Sequence, residues 1–244
     1  MKWCAPPETL RLRDDETHVW RVSLDQPAYR IQALYPTLVD EERERAGHFH
    51  TRTDRERFLV RRGLLRAILG RYVHSDPAQL RFCYGPHGKP ALSPESTTAP
   101  LRFNLAHTNG VALYAITSGR ELGVDIEYIS ADLTEEDIAK QFFSQPETDV
   151  LRSLTGQKRK DAFFTCWTRK EAYLKARGKE LTLALHQFAV SLLPGAPAVL
   201  TYLQGDPREA ARWSLQDLHP GPGYKAALAV EGVVGRLRYW QWPE

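Results

Sequence analysis

Asp125 and Glu127 carry the sharpest chemistry in this chain of 244 residues. They lie in Leu122-Gly123-Val124-Asp125-Ile126-Glu127-Tyr128-Ile129, which reads as a strand. Successive side chains of a strand point to opposite faces, so Val124, Ile126 and Tyr128 share one face and the two carboxylates share the other. Two carboxylates at that spacing repel each other unless a cation sits between them. All-oxygen donors suit Mg²⁺ or Mn²⁺, which take few carboxylates together with waters and substrate phosphates. A strand with a solvated polar face would give the same pattern.

A second segment, Trp167-Thr168-Arg169-Lys170-Glu171-Ala172-Tyr173-Leu174-Lys175, narrows the choice. On a helical wheel advancing about 100° per residue, Glu171 falls roughly 80° from Phe163 and Lys175 roughly 120°. Glu171 therefore borders the apolar stripe of Phe163, Trp167 and Leu174. An i,i+4 Glu–Lys pair is often only a surface contact. Burying an unpaired carboxylate is costly, so a third metal ligand with a lysine beside it accounts better for the position.

Candidate phosphate-handling parts are spread upstream. Tyr84-Gly85-Pro86-His87-Gly88-Lys89-Pro90 reads as a turn offering backbone N–H groups and one ammonium, and Asn104-Leu105-Ala106-His107 follows. Of 33 basic residues, 24 are Arg, and seven of these fall between Arg52 and Arg71 against only Asp54 and Glu56. The planar guanidinium fork matches phosphate oxygens, although a solvated helix face would be equally dense in arginine. The phosphate loop Gly-x-x-x-x-Gly-Lys-Ser/Thr, the dinucleotide fingerprint Gly-x-Gly-x-x-Gly and the Gly-x-Ser-x-Gly elbow are all missing from the sequence.

The elements that must position these residues follow from periodicity. Phe58, Leu64, Leu65, Ile68 and Leu69 predict a helix over 54–73, and Phe163, Phe164, Trp167, Leu174 and Ala176 predict another over 158–177, with Gly178 as its stop. A weaker helix is expected over 134–143. Strands are expected over 110–117, 123–129, 188–192 and 224–230. Helices interspersed with short strands predict an α+β, or mixed α/β, fold.

Composition sets the outer bounds. With 42% hydrophobic and 26% charged residues the chain can bury a proper core, which excludes wholesale disorder, collagen and coiled coil. A net charge of +3 is small for a nucleic-acid binder. Cys4, Cys83 and Cys166 are odd in number and far apart, arguing against a disulfide framework and a zinc cluster. No apolar run suggests a signal peptide or a membrane span, so a cytoplasmic protein is expected.

Read in order, these pieces resemble the 4′-phosphopantetheinyl transferases, in particular the broad-specificity class that activates peptide and polyketide synthases. The motifs that carry the likeness are Gly123-Val124-Asp125-Ile126-Glu127 and Phe164-x-x-Trp167-Thr168-x-Lys170-Glu171-Ala172-x-x-Lys175-Ala176-x-Gly178. Gly88-Lys89-Pro90, Asn104-x-x-His107 and Pro222-Gly223-Tyr224-Lys225-Ala226 add to it. The resemblance implies two similar, pseudo-symmetric α/β subdomains, 1–118 and 119–244, with coenzyme A in the cleft between them. By the same resemblance Asp125, Glu127 and Glu171 ligate Mg²⁺ (or Mn²⁺) at the pyrophosphate. Arg57, with Arg45 and His107, meets the 3′-phosphate, and Gly88, Lys89 and Pro90 lie against the adenine. Two departures stand out: Ala106 where the family usually has Ser, and Glu180 where it usually has Gly.

The implied reaction moves 4′-phosphopantetheine from coenzyme A to a serine of an apo acyl or peptidyl carrier protein, an acidic helical domain, releasing 3′,5′-ADP. Glu171 is the expected base and Lys175 the group that meets charge on the leaving nucleotide. A monomer is expected, with no membrane and no nucleic acid among its partners. One rival is another Mg²⁺-dependent phosphotransferase or nucleotide hydrolase. A more distant rival is a nucleic-acid-binding module built on a continuous basic stripe along the helix of Arg52–Arg71.

Overall fold

The computed structural model describes residues 2–130, 135–178, 185–193, 195–203 and 207–243. Its first half runs β1 (Glu16–Ser23), α1 (Ala28–Leu34), α2 (Asp40–Gly47), α3 (Arg52–Val73), β2 (Phe82–Tyr84), β3 (Pro90–Leu92), β4 (Leu101–Thr108) and β5 (Val111–Ser118). The second half runs β6 (Leu122–Tyr128), α4 (Glu135–Phe142), α5 (Gln145–Ser153), α6 (Gly156–Arg177), β7 (Phe188–Val190), β8 (Leu200–Leu203), α7 (Pro207–Ala210), β9 (Trp213–Leu218), β10 (Tyr224–Glu231) and β11 (Arg236–Gln241). The fold is the expected mixture of helices and sheets.

Each half sets one 22-residue helix against one sheet. In the first, α3 packs its Val60, Leu64, Leu65, Ile68 and Leu69 side chains against Trp20, Val22, Phe103 and Tyr114 of a sheet ordered β11-β1-β5-β4. Thr51 starts α3 by accepting a hydrogen bond from the Asp54 N–H at 3.0 Å. In the second half, α6 packs on a sheet ordered β6-β10-β9. It ends at Gly178, whose φ of 64° lies in the left-handed region and whose N–H reaches the Leu174 and Lys175 carbonyls.

The two sheets adjoin along β4 and β6, where the Val124 N–H donates to the Asn104 side-chain oxygen at 2.9 Å. Between the sheets lies a shared apolar layer of Val19, Ala106, Leu113, Ala115, Val124, Ile126 and Leu228. Residues 119–121 link β5 to β6, near the division expected at 118. The last strand crosses that division. β11 pairs in parallel with β1, Glu16 opposite Arg236 through Arg21 opposite Gln241, so the first sheet contains residues of the 119–244 segment.

Small residues let α6 settle onto its sheet. Gly123, Ala227 and Ala229 occupy one face of the paired strands β6 and β10. A Cβ built on Gly123 would collide with the backbone of Ala172, Lys175 and Ala176. Gly123→Ala should therefore lower thermal stability by about 1–3 kcal/mol, an overpacking cost that helix backbone cannot easily relieve. A melting curve matching that of the unmodified protein would show that α6 can lift off without penalty.

Candidate functional site

The close approach of α6 to β6 brings Glu171 and Lys175 over the carboxylate-bearing face of the strand. Asp125 and Glu171 are each 3% exposed, which removes the solvated-strand reading of Asp-x-Glu. The Lys175 ammonium donates to Asp125 Oδ1 at 2.6 Å. Asp125 Oδ2 and Glu171 Oε1 are buried and have no hydrogen-bond partner. Glu127 is half-buried, and the Trp167 side chain favours its charged form.

Electrostatics tie these groups together. Burial, then the charges of Asp125 and Glu127, push the Glu171 carboxyl up to about 8 against the pull of Lys175. Burial and Asp125 likewise push Glu127 up to about 7, although Lys175 and Trp167 oppose them. Burial works against the charge on Lys175, but Asp125, Glu171 and Glu127 outweigh it and raise the ammonium's pKa. Three carboxylates sharing one cation form an acidic site short of positive charge.

The donor chemistry suits a hard dication. Two orphaned, buried carboxylate oxygens are what such an ion would satisfy, and oxygen donors are the type it takes. Among the described residues, however, no three His, Cys, Asp or Glu side chains are already gathered into a metal-binding group. The expected trio Asp125, Glu127 and Glu171 is thus one electrostatic cluster that would have to close around an ion, with Lys175 as its present cation.

His107 lies near the end of β4. The residue is exposed, yet partial burial, followed by the charges of Arg61 and Lys175, pushes the imidazole down to about 4. It is therefore neutral at neutral pH and sits within electrostatic reach of the carboxylates' lysine. A cavity of about 190 Å³ opens beside it, lined by Leu24, Arg57, Phe58, Arg61, Asn109 and Gly110 among others.

Several of the basic residues are already engaged within the protein. Arg57 lines the cavity but is held by Asp25 through two bonds, Nε to Oδ1 at 2.6 Å and Nη2 to Oδ2 at 2.9 Å. Arg45 is exposed and stacks over the Phe58 ring at 5.7 Å. The Lys89 ammonium is bonded within the protein. It braces the turn after β2 against the second half, donating to Glu121 at 2.7 Å, the Leu122 carbonyl at 3.0 Å and the Ala176 carbonyl at 2.8 Å. Gly88, with φ of 75°, closes that turn, and His87 and Gly88 stay exposed. Pro90 opens β3. Ala106 is buried between the sheets with no polar role, and Glu180 lies outside the described residues.

The arginine-dense helix divides in the same way. Arg62 and Arg66 both bind Glu42, Arg66 Nε to Oε2 at 2.7 Å, in a largely buried triad that fastens α2 to α3. Arg52 pairs with Glu56, and Arg71 binds the Pro7 and Glu8 carbonyls. The helix does not present the continuous basic stripe that nucleic-acid binding would use. Composition could not separate these arginines, because their partners Asp25 and Glu42 are distant in sequence.

The buried carboxylates beside Lys175, with His107 and its arginine-lined cavity within electrostatic reach of that lysine, are groups suited to a phosphate-bearing ligand. Residues 121–229 match the 4′-phosphopantetheinyl transferase superfamily, and residues 20–118 match the N-terminal 4′-phosphopantetheinyl transferase family. The chain is 39% identical over 240 residues to the 4′-phosphopantetheinyl transferase HetI of Nostoc sp., covering 98% of each. It is 30% identical to the 4′-phosphopantetheinyl transferase Sfp of Bacillus subtilis, covering 87% of this chain and 91% of that one. A holo-(acyl-carrier-protein) synthase from Bacillus anthracis superposes with a TM-score of 0.38 and 18% identity, covering 46% of this chain and 96% of that chain. The chain belongs to the 4′-phosphopantetheinyl transferase superfamily and is an enzyme of that type. Among the described residues, no helix is long and apolar enough to cross a membrane.

Proposed function

We propose that this enzyme transfers 4′-phosphopantetheine from coenzyme A to a serine of an apo acyl or peptidyl carrier protein, releasing 3′,5′-ADP. The observation that carries this reading is the buried cluster of Asp125 and Glu171, each with an unpartnered oxygen, held against Lys175. Asp125, Glu127 and Glu171 would hold Mg²⁺, which when bound supplies charge neutralisation at the pyrophosphate.

The chain's own residues divide the remaining work. Glu171 takes the proton of the carrier serine as its oxygen bonds to the phosphorus that carries pantetheine. The bond from that phosphorus to the bridging oxygen breaks, and its electron pair leaves with 3′,5′-ADP. Lys175 stabilises charge on the departing nucleotide through its ammonium. Arg45, Arg57 and His107 flank the 3′-phosphate, Arg57 by releasing Asp25. The turn at Gly88, Lys89 and Pro90 meets the adenine with backbone, since its lysine is otherwise engaged. Fixing the far end of the nucleotide orients the reacting phosphorus.

The test is to incubate the protein with coenzyme A, Mg²⁺ and several apo carrier proteins and to measure the intact mass of each carrier. A phosphopantetheine adduct on at least one is expected. Adducts on none would defeat the assignment.

A further inference from the structure

β4 and β6 are each the last strand of their sheet, and among the described residues no main-chain ladder joins them. Along such an edge every second residue turns its N–H and C=O away from its own sheet. Water cannot serve these groups here, because Leu122 and Val124 are 0% exposed. Side chains of the first half supply the partners. The Val124 N–H donates to Oδ1 of the buried Asn104 at 2.9 Å, and the Leu122 carbonyl accepts from the Lys89 ammonium at 3.0 Å. Two side chains thus do for β6 what a neighbouring strand would do.

An ammonium has three N–H donors, and Lys89 uses all three. Besides Leu122 it bonds Glu121 at 2.7 Å and the Ala176 carbonyl at 2.8 Å. Ala176 lies in the last turn of α6, where carbonyls lack helical partners and a cation is favourable. One ammonium therefore grips both the carboxylate strand and the glutamate helix, at the place where Gly123 lets them touch. Leu122 is three residues from Asp125, and Ala176 adjoins Lys175, which itself bonds Asp125 at 2.6 Å. Asn104 acts closer still. Val124 directly precedes Asp125, and Asn104 shares β4 with His107. Lys89 thereby fixes how β6 lies against α6, and Asn104 fixes how β6 is set along β4.

We propose that Lys89 and Asn104 are positioning residues for phosphopantetheine transfer, holding Asp125 and Glu171 where a nucleotide bound by the first half meets them. The identity of the reaction rests on the transferase reading above, to which these two residues are added. Neither side chain needs to touch coenzyme A. Both act through the backbone of residues 122, 124 and 176, so their loss shows in the rate of transfer and not in the affinity for the nucleotide. Misplacing reacting groups by about 1 Å costs on the order of 10²-fold in rate.

Steady-state transfer to an apo carrier protein, together with calorimetric titration of 3′,5′-ADP, separates rate from affinity in the full-length protein. Asn104→Ala should lower kcat by about 10- to 100-fold while KM for coenzyme A and the affinity for 3′,5′-ADP stay within about threefold. Lys89→Met should lower kcat over the same range. Lys89→Arg should recover part of that loss, since a guanidinium keeps the charge and has donors to spare for the carbonyls. Circular dichroism checks folding, and should Asn104→Ala not fold, the Lys89 variants carry the test. A folded variant with unchanged kcat would overturn the proposal. So would a loss confined to KM and 3′,5′-ADP affinity, or a Lys89→Arg enzyme no better than Lys89→Met. Hydrogen exchange supplies a reading that needs no turnover: residues 122–126 and the last turn of α6 should exchange faster in Lys89→Met than in the unmodified protein, and equal rates would also overturn it. If the unmodified protein modifies no carrier, the transferase reading falls, while the exchange result still decides whether Lys89 holds β6 to α6.

Discussion

Glu171→Gln should lower phosphopantetheine transfer by about 10²–10⁴-fold, the usual contribution of a positioned proton acceptor, while making the metal-free protein more stable above neutral pH. The stability half of this result comes from the raised carboxyl. In the folded protein Glu171 stands at about 8, well above its ordinary value of 4.5, so folding favours its protonated form. A group of this kind contributes stability that is fully present below its unfolded pKa and is lost as pH rises through its folded pKa. Glu127, at about 7, acts in the same direction. The metal-free enzyme should therefore lose stability between about pH 5 and pH 8, and Mg²⁺ should return much of it at the upper end. Glutamine at 171 stays neutral and removes part of that loss. Thermal melts at about pH 5.5 and pH 8.5, each with chelator or with Mg²⁺, read both effects. Equal pH slopes in the two proteins, or near-normal turnover in Glu171→Gln, would contradict the roles given to this residue.

Lys170→Met should fail differently, by unfolding. Lys170 adjoins Glu171 in sequence but faces the opposite interior, where it is 0% exposed. Its ammonium donates to both oxygens of the buried Glu147, at 2.9 and 2.6 Å, and to the Phe188 carbonyl at 2.5 Å. The same carboxylate accepts from the Val190 N–H and the Ser144 N–H, each at 2.8 Å. One ion pair thus joins α5, α6 and β7. Removing one partner of a buried pair strands the other charge, at a cost of about 3–5 kcal/mol, a large share of the roughly 5–15 kcal/mol by which domains are stable. Glu147→Gln keeps some of these bonds and should destabilise less. Chemical denaturation of both variants gives the comparison. A Lys170→Met midpoint equal to that of the unmodified protein would show the pair to be dispensable.

Local patterns carried the carboxylate strand and the two long helices into the sequence reading, because each is written in nearest-neighbour terms. Val124 and Ile126 alternate with Asp125 and Glu127, and the stripe through Phe163, Trp167 and Leu174 repeats at helical spacing. The burial of Glu171 was also legible, since its wheel position borders that stripe. What the pattern could not contain was partnership at long range. Asp25 and Arg57 meet across 32 positions, Lys89 and Ala176 across 87, and nothing in either neighbourhood announces the other. Strands β1 and β4 were not expected as such. β1 is buried almost throughout, and β4 mixes exposed and buried positions without strict alternation. The division of labour among the arginines of α3 became visible only once their partners were placed.

The pairing of β11 with β1 has a consequence for how the molecule comes into being. During synthesis the first half emerges with its long helix and three of its four sheet strands, but with β1 as a bare edge. Unpaired strand edges invite adhesion to other chains until they are covered. Here the cover arrives only with residues 236–241, after the carboxylate strand and the lysine helix have been made. Completion of the first sheet is thereby deferred until the second half has been made. A gene split between β5 and β6 would separate that edge from its cover, so the two products should need each other to stay in solution.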